Sequence, residues 1–433
     1  MATTKTSYAR PVCIVDGLRT PFIKAEGKPG PFEASDLAVN AGKVLLARQP
    51  FAANALDEVI LGCVAPGPNE ANIARLVALR LGCGDSMPAF TVQRNCASGL
   101  QALDTAALNI AAGRAEMVLA GGTESMSHSP ILFGQKMVDW LGAMMRCKTL
   151  PKKLRHLLRL RLSYLAPVIG LKCGLSDPLL GISMGQTAEN VAYRFNINRV
   201  EMDAYAANSH QRLLQAQQAD FMGEVVPLYD DKGNVITADN GVREDSTAER
   251  LAKLRPVFDR GGNITAGNSA QVTDGAALLI LASEKAVEQH NLPVLGKIID
   301  AQWSGLNPAV MGLGPAHAML PLLQRQQLGI DDIDNWEINE AFAAQVLGCL
   351  AAWQDEDYCK TQLGLDAAFG AIPMDRLNVD GGGISLGHPV GASGARIVLH
   401  LLHTLKRNQR KRGIASLCIG VGQGGAMMIE QGE

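Results

Sequence analysis

The chain has 433 residues, 47% of them hydrophobic, with 45 glycines and a formal net charge of −2. That length leaves room for two or three domains, and the near-neutral charge excludes a general affinity for nucleic acid. Nine cysteines without CxxC pairing exclude a zinc ribbon or a disulfide framework and fit a reducing compartment.

Residues 1–11 are polar and lack an apolar core, so no secretory signal is expected, and no apolar run is long and charge-free enough to span a bilayer. Residues 11–16 (PVCIVD) predict a short strand, and 17–22 a turn. Residues 37–49 have helical periodicity, 56–62 read as a second strand, and 72–81 as a helix. The stretch Thr91-Val-Gln-Arg-Asn-Cys96-Ala-Ser-Gly-Leu then predicts a strand end, a sharp turn and a helix over 97–112. That helix is small and apolar all round, which predicts burial. Cys96 on the turn faces the positive end of the helix, which favours a nucleophilic thiolate. The same position also suits a buried structural cysteine. Residues 115–120 predict a strand running into Gly121-Gly-Thr-Glu-Ser125.

The last third repeats this order. A strand over 332–339 opens onto Asn339-Glu-Ala-Phe342, a helix covers 342–353, and 377–388 read as a strand and a glycine-rich turn. A buried helix follows over 391–406 and a strand over 413–420. His388 therefore occupies in one half the place that Cys96 occupies in the other, and Cys418-Ile-Gly420 matches Gly121-Gly122. Alternating strands and helices in two like halves predict mainly parallel sheets, with one site shared at the carboxyl ends of the strands.

Between the halves, residues 125–266 are irregular and predict an inserted lobe over the site. No acidic residue occurs from Trp140 to Ser176. Within that stretch, 150–164 combines leucines with Lys152, Lys153, Arg155, Arg159 and Arg161, predicting a basic amphipathic helix that meets a membrane surface or a partner.

The halves bring Cys96, Asn339, His388 and Cys418 toward each other. A thiolate attacks thioester-activated carbonyls well. A histidine can take its proton or stabilise an oxyanion, and a second cysteine can move protons at a carbon acid. Gly420 lets a ligand approach the chain closely. Taken singly, His388 could be a turn residue, Asn339 a helix cap and Cys418 core. The glycines of 380–387 lack the acidic residue a dinucleotide site requires, and no Walker motif occurs.

Together these residues resemble the thiolase family. The motifs are Gln93-Arg-Asn-Cys96-Ala-Ser-Gly-Leu, Gly121-Gly-Thr-Glu-Ser-Met-Ser127, Met184-Gly-Gln-Thr-Ala-Glu-Asn190, Thr265-Ala-Gly-Asn-Ser269, Asp274-Gly-Ala-Ala277, Asn339-Glu-Ala-Phe342, Gly387-His-Pro389 and Cys418-Ile-Gly-Val-Gly. The final cysteine separates the chain from ketoacyl synthases. The resemblance implies two βαβαβαββ halves packed as a five-layer α/β/α/β/α core plus a loop domain. Its expected boundaries are 1–124 with 267–291, 125–266, and 292–433. It implies thiolysis of 3-ketoacyl-CoA through an acyl-Cys96 thioester, as in fatty-acid β-oxidation. Cys418 would act as acid and base. His388, with a water on Asn339, would serve one oxyanion hole, and the N–H groups of Cys96 and Gly420 the other. Met184, Ala266, Ser269, Ala341 and Phe342 would contact coenzyme A, which is a substrate; no metal or permanently bound cofactor is implied.

The alternatives are a biosynthetic acetoacetyl-CoA thiolase and a non-catalytic lipid carrier. Short-chain enzymes often carry a histidine where this chain has Ser183, and their pantetheine serine lies one place beyond Ser269. The long basic segment is most similar to β subunits of trifunctional-type complexes, which usually have histidine at the position of Asn339. That likeness implies a hydratase/dehydrogenase partner, a homodimer or homotetramer, and a cytoplasmic protein peripheral to the inner membrane.

Overall fold

The computed structural model describes residues 6–432. Its first half contains β1 (Val12–Arg19), β2 (Glu58–Gly62), β3 (Ala89–Val92), β4 (Met117–Ser125) and β5 (Thr273–Ser283), with helices α1 (Ala34–Ala47), α2 (Ile73–Arg80) and α3 (Ser98–Ala111). The second half contains β6 (Gly296–Gly305), β7 (Asn335–Ile338), β8 (Arg412–Ile419) and β9 (Gln423–Gln431), with α4 (Gly314–Gln326), α5 (Ala343–Gln354) and α6 (Ser393–Arg407).

The strands run β7-β8-β9-β6-β1-β5-β4-β2-β3, and a short Ile23–Lys24 strand pairs with β5. β2 is parallel to β3 and β4, and β7 is parallel to β8; the remaining pairs along the order are antiparallel. The two halves follow the same order of pairings except that the second has no full strand where the first has β3, and β1 joins β6 over Val12–Ile14.

Strand alternation divides the core. Leu278, Ile280 and Ala282 of β5 pack with α1 and α2, whereas Ala277, Leu279 and Leu281 face α3 and α6. In β8 and β9, Ala415, Leu417, Met427 and Ile429 face that same central helix layer, and Ile414, Cys418 and Met428 pack toward α4 and α5. Successive side chains point to opposite faces, so near-continuous apolar strands are those covered on both sides. The result is the expected α/β/α/β/α order.

The two central helices touch backbone to backbone. A β-carbon on Gly99 would lie 2.8 Å from the Gly391 carbonyl oxygen, and one on Gly394 would lie 2.4 Å from the Leu100 nitrogen. Only glycine permits this approach, and it sets the amino ends of α3 and α6 side by side.

Three sequence expectations are corrected. The sheet predicted to be mainly parallel is mixed, with antiparallel pairings outnumbering parallel ones, because β8 turns straight back into β9 at Val421 and Gly422 and β1, β5 and β6 run against their neighbours without a helical crossover. The first half of the turn placed at 17–22 is strand, since β1 continues to Arg19 opposite Ala277. Arg19 is fully buried and reaches Asp239 at 2.6 Å and Glu224 at 3.2 Å, forming an internal ion-pair cluster. The strand placed at 377–380 is reduced to one parallel bridge, between Trp336 and Leu377. Asn378 has a positive φ of 45°. Its side chain takes the place of a strand backbone, accepting from Ile338 N–H at 2.8 Å and donating to the Ile338 carbonyl at 2.8 Å.

Residues 126–272 leave and re-enter the sheet at one point, because Ser125 and Asp274 are direct antiparallel partners. Helices Met184–Arg194 and Arg199–Gln218 dominate this excursion. Each begins with a capping box, Ser183 with Gln186 and Asn198 with Glu201. Ser183, where short-chain relatives often have histidine, is thus the helix cap. The basic stretch is helical only over Leu150–Leu157, shorter than predicted, and a 3-10 turn follows at Leu162–Leu165. Among the described residues no helix is long and apolar enough to cross a membrane.

Candidate active site

The Cys96 turn is held from both sides. Asn95 adopts a left-handed φ of 44°, and its Nδ2 donates to the Gly420 carbonyl at 3.1 Å. Ser98 Oγ accepts from Arg94 N–H at 2.9 Å and donates to the Asn95 carbonyl at 2.7 Å. Those bonds close the turn and leave Cys96 just ahead of the first helical residue, Ser98. On the facing strand, Cys418 and Gly420 stand where β8 ends, and Val421 and Gly422 both take positive φ to turn the chain back.

Cys96, His388 and Cys418 line one cavity with Met184, Phe258, Ser269, Met311, Ala341 and Phe342. The expected convergence of these three groups is therefore present. Burial pushes the Cys96 thiol up to about 11, although the backbone N–H groups of Gly420 and Cys96 itself favour its thiolate. The sequence-based expectation of a resting thiolate is corrected: burial outweighs the helix end. Those two N–H groups converge on the sulfur, which sets donors beside any carbonyl that it attacks. Burial also raises the Cys418 thiol well above its ordinary range, and the neighbouring Cys96 and Cys349 add to this.

His388 is buried, and that burial, assisted by the charge of Arg396, pushes it down to about 4. It is a neutral imidazole near pH 7. Its Nδ1 lies 2.6 Å from Ser393 Oγ, whose own proton goes to the Pro389 carbonyl at 3.0 Å. Ser393 must therefore accept, so Nδ1 carries the proton and Nε2 keeps its lone pair as the basic nitrogen. The sequence reading missed Ser393, although it sits five residues after His388 on the first turn of α6.

Asn339 is fully buried beside His388, with Nδ2 3.4 Å from each ring nitrogen, so it is not aimed squarely at the Nε2 lone pair. Its Oδ1 has no hydrogen-bond partner among the described residues. The capping reading of Asn339 is excluded: α5 starts at Ala343, and Phe342 is its N-cap. Glu340 instead ties this loop down, accepting from Tyr205, Ser209, Asn378 and Ile384.

Of the residues expected to meet coenzyme A, Met184, Ser269, Ala341 and Phe342 lie in the cavity wall. Ser269 donates its hydroxyl to the Thr265 carbonyl at 2.7 Å, so it presents no free proton to a ligand. Ala266 does not line this cavity and is exposed on the preceding turn; Ala270, Gln271 and Val272 take its place in the wall. Phe258 was not foreseen; its ring meets Phe342 edge-on at 5.9 Å. Among the described residues no His/Cys/Asp/Glu cluster is arranged to hold a metal ion.

Comparison with known proteins gives two family matches, "Thiolase, N-terminal domain" over residues 12–285 and "Thiolase, C-terminal domain" over 292–431. A β-ketoadipyl-CoA thiolase of Pseudomonas aeruginosa is 39% identical, covering 98% of this chain and 100% of its own. An acetyl-CoA acetyltransferase of Allochromatium vinosum is 35% identical, covering 97% of this chain and 99% of its own. Among solved structures, human mitochondrial 3-ketoacyl-CoA thiolase superposes with a TM-score of 0.85 at 36% identity, covering 99% of this chain and 100% of its own. A structure of that human enzyme in complex with CoA superposes with a TM-score of 0.84 at 35% identity, covering 99% of this chain and 100% of its own. These relatives lend no support to the expected likeness to trifunctional β subunits.

Proposed function

The chain belongs to the thiolase family and is an acyltransferase of it; on that premise we propose that it cleaves 3-ketoacyl-CoA with coenzyme A, in the degradative direction, through an acyl-Cys96 thioester. The observation that carries this reading is the meeting of a neutral His388, Cys418 and the paired N–H groups at Cys96 around one cavity.

The chemistry follows from the protonation states. His388 Nε2 takes the Cys96 proton as sulfur attacks the 3-keto carbon. The new oxyanion is met by the N–H groups of Cys96 and Gly420. The carbon–carbon bond breaks, its electron pair becomes the enolate of acetyl-CoA, and Cys418 supplies the proton to carbon. His388, with a water on Asn339, stabilises that enolate oxygen. Incoming coenzyme A gives its thiol proton to the Cys418 thiolate and attacks the thioester. The tetrahedral intermediate then expels Cys96, which recovers its proton from His388. Met184, Ala341 and Phe342 flank the pantetheine arm. We place the domain boundaries at 1–124 with 267–291, 125–266 and 292–433.

Mass spectrometry of the intact protein after adding an acyl-CoA tests the central step. A mass gain of one acyl group, located at Cys96 and removed by coenzyme A, is expected. Absence of a covalent adduct would favour a carrier.

The exposed basic segment supports a peripheral contact with an anionic membrane surface. Leu158 is 89% and Leu162 86% exposed, beside Lys152, Lys153, Arg155, Arg159 and Arg161. Stacking of Trp140 on His156 at 5.3 Å anchors this segment to the neighbouring helix. Apolar side chains interleaved with cations match a lipid interface.

A further inference from the structure

Cys96 has cavity on two sides. The first chamber contains the acid–base groups. The second lies beyond Met126, Leu175, Met184 and Val390, which line both. Its own wall is formed by Val64, Ala65, Glu124, Gly170, Leu171 and Gly174. Resting on the thiolase reading above, we propose that this second chamber holds the acyl tail and accepts only an uncharged, apolar one, rejecting a tail that ends in a carboxylate.

Three observations carry the assignment. First, the chamber opens on Cys96 and Gly420 and away from His388 and Cys418, where the carbon–carbon bond must break. The part of a substrate that stays on Cys96 must therefore leave the sulfur in this direction. Second, no lysine, arginine or histidine lines it among the described residues. A terminal carboxylate would find no counter-charge there. Third, besides Cys96 the chamber's one ionisable group is itself acidic. Glu124 is buried, and its oxygens accept N–H bonds from Val64 at 2.9 Å, Ala65 at 3.0 Å and Gly391 at 3.0 Å. Those donors are consumed in holding the wall and cannot turn to a ligand. An anion entering here would find no cation; the polar side chains left to meet it are the uncharged Ser129 and Asn95, the latter already donating to the Gly420 carbonyl, and it would face a second carboxyl group. Burial of an unpaired charge is strongly unfavourable, whereas an apolar tail only exchanges water for Val64, Leu171 and Leu175.

Gly170, Leu171 and Gly174 of that wall belong to the short helix Gly170–Gly174, which the strand Pro167–Ile169 separates from the exposed basic segment. None of that segment's cations reaches the chamber, so its positive charge cannot rescue an acidic tail.

The test compares two six-carbon substrates of equal length, 3-ketohexanoyl-CoA and 3-ketoadipyl-CoA, with acetoacetyl-CoA as a control that barely enters the chamber. A kcat/KM at least about 100-fold higher for 3-ketohexanoyl-CoA is expected, because a hydrophobic pocket with no partner disfavours a buried charge by at least that factor. Leu171→Arg should narrow the ratio at least tenfold by giving the carboxylate a partner. Ala65→Leu should lower the ratio of 3-ketododecanoyl-CoA to acetoacetyl-CoA turnover by filling the chamber. Equal turnover of the two six-carbon substrates by the unaltered protein overturns the inference and leaves the thiolase reading standing. Failure to cleave all three substrates overturns the thiolase reading itself.

Discussion

Raising the pH from about 6 to about 9 should speed alkylation of Cys96 by iodoacetamide roughly tenfold per unit, without a plateau. The reasoning starts from two environments. Burial holds the Cys96 thiol at about 11, and burial holds the His388 imidazole at about 4. The resting pair is therefore thiol and neutral imidazole, since ionising both would oppose both environments. At pH 7 a group titrating near 11 is ionised to roughly one part in ten thousand, and that fraction climbs tenfold with each unit. Cys173 is exposed and Cys147 partly so. Both will label readily, so the rate at Cys96 must be read from its own peptide by mass spectrometry. His388→Ala should leave the slope of the alkylation profile unchanged, because the imidazole does not hold a resting thiolate. Thiolysis in that variant should fall by about 10²–10⁴, the usual loss when a general base is removed. A flat alkylation profile between about pH 6 and pH 8, abolished by His388→Ala, would refute the argument and restore the resting ion pair.

Cys418→Ser should still form the acyl adduct on Cys96 from an acyl-CoA. It should lose about 10²–10⁴ in carbon–carbon cleavage and in deuterium exchange at the acetyl-CoA α-carbon; undiminished exchange would remove Cys418 from the mechanism. Glu224→Ala should destabilise the fold by about 3–5 kcal/mol, because it strips a partner from the buried Arg19 and His400; a thermal midpoint within a degree or two of wild type would contradict this. The same cluster sets a pH window. Burial opposes the charge on His400, but Glu224 and Asp380 outweigh it and raise the group to about 10. Burial also opposes the charge on Glu224, which His400 and Arg19 nevertheless hold below its ordinary range. The His400 contribution is complete below its unfolded value of about 6.5 and lost as pH rises toward 10. The Glu224 contribution is present above its unfolded value of about 4.3 and lost on acidification. The melting midpoint, followed across pH, should therefore decline on both sides of that window. Reversing Lys152, Lys153, Arg155, Arg159 and Arg161 to glutamate should abolish binding to anionic vesicles at low salt and spare acetoacetyl-CoA cleavage. Each cation near such a surface contributes on the order of 1 kcal/mol, and unchanged vesicle binding would end the membrane proposal.

The repeat was legible because it is written in local patterns that recur, and strand and helix periods survive without knowledge of the partner half. What the sequence left hidden depends on contacts between distant residues. The Cys96 thiol shows this most plainly. Its place before a helix argues for a thiolate, and that part of the reading is sound. Its burial comes from elsewhere: Met184 lies in the excursion, and Gly420 is hydrogen-bonded to Asn95 across 325 residues of chain. Asn339 was ambiguous for a related reason. Asparagine caps helices well, but α5 starts only at Ala343, because Phe342 stays extended to bridge Ser269. That bridge comes from a segment which no local pattern connects to it. The ion pairs of Arg19 span 205 and 220 residues, and no local pattern within 17–22 points to them.

The same separation explains why a site at the seam between like halves has to be rigid. Cys96 and His388 stand on the turns that lead into different helices, α3 and α6, and neither turn could aim its side chain without the other. The glycine contacts between α3 and α6 remove the freedom of those helices to slide, since any side chain at Gly99 or Gly394 would overlap backbone. Glu124 then links the same elements on the far side, joining the loop after β2 to Gly391 at the start of the α6 turn. Burial raises that carboxyl group to about 7. It can therefore lose or keep its proton near neutrality, and in either state its oxygens still accept from backbone N–H groups. The one histidine at the reaction centre is held neutral over the same range. A neutral imidazole has a lone pair to take the Cys96 proton as sulfur attacks, and the raised Cys418 thiol keeps its own proton until the leaving carbon needs it, so in the proposed reaction the two groups divide the proton transfers between them.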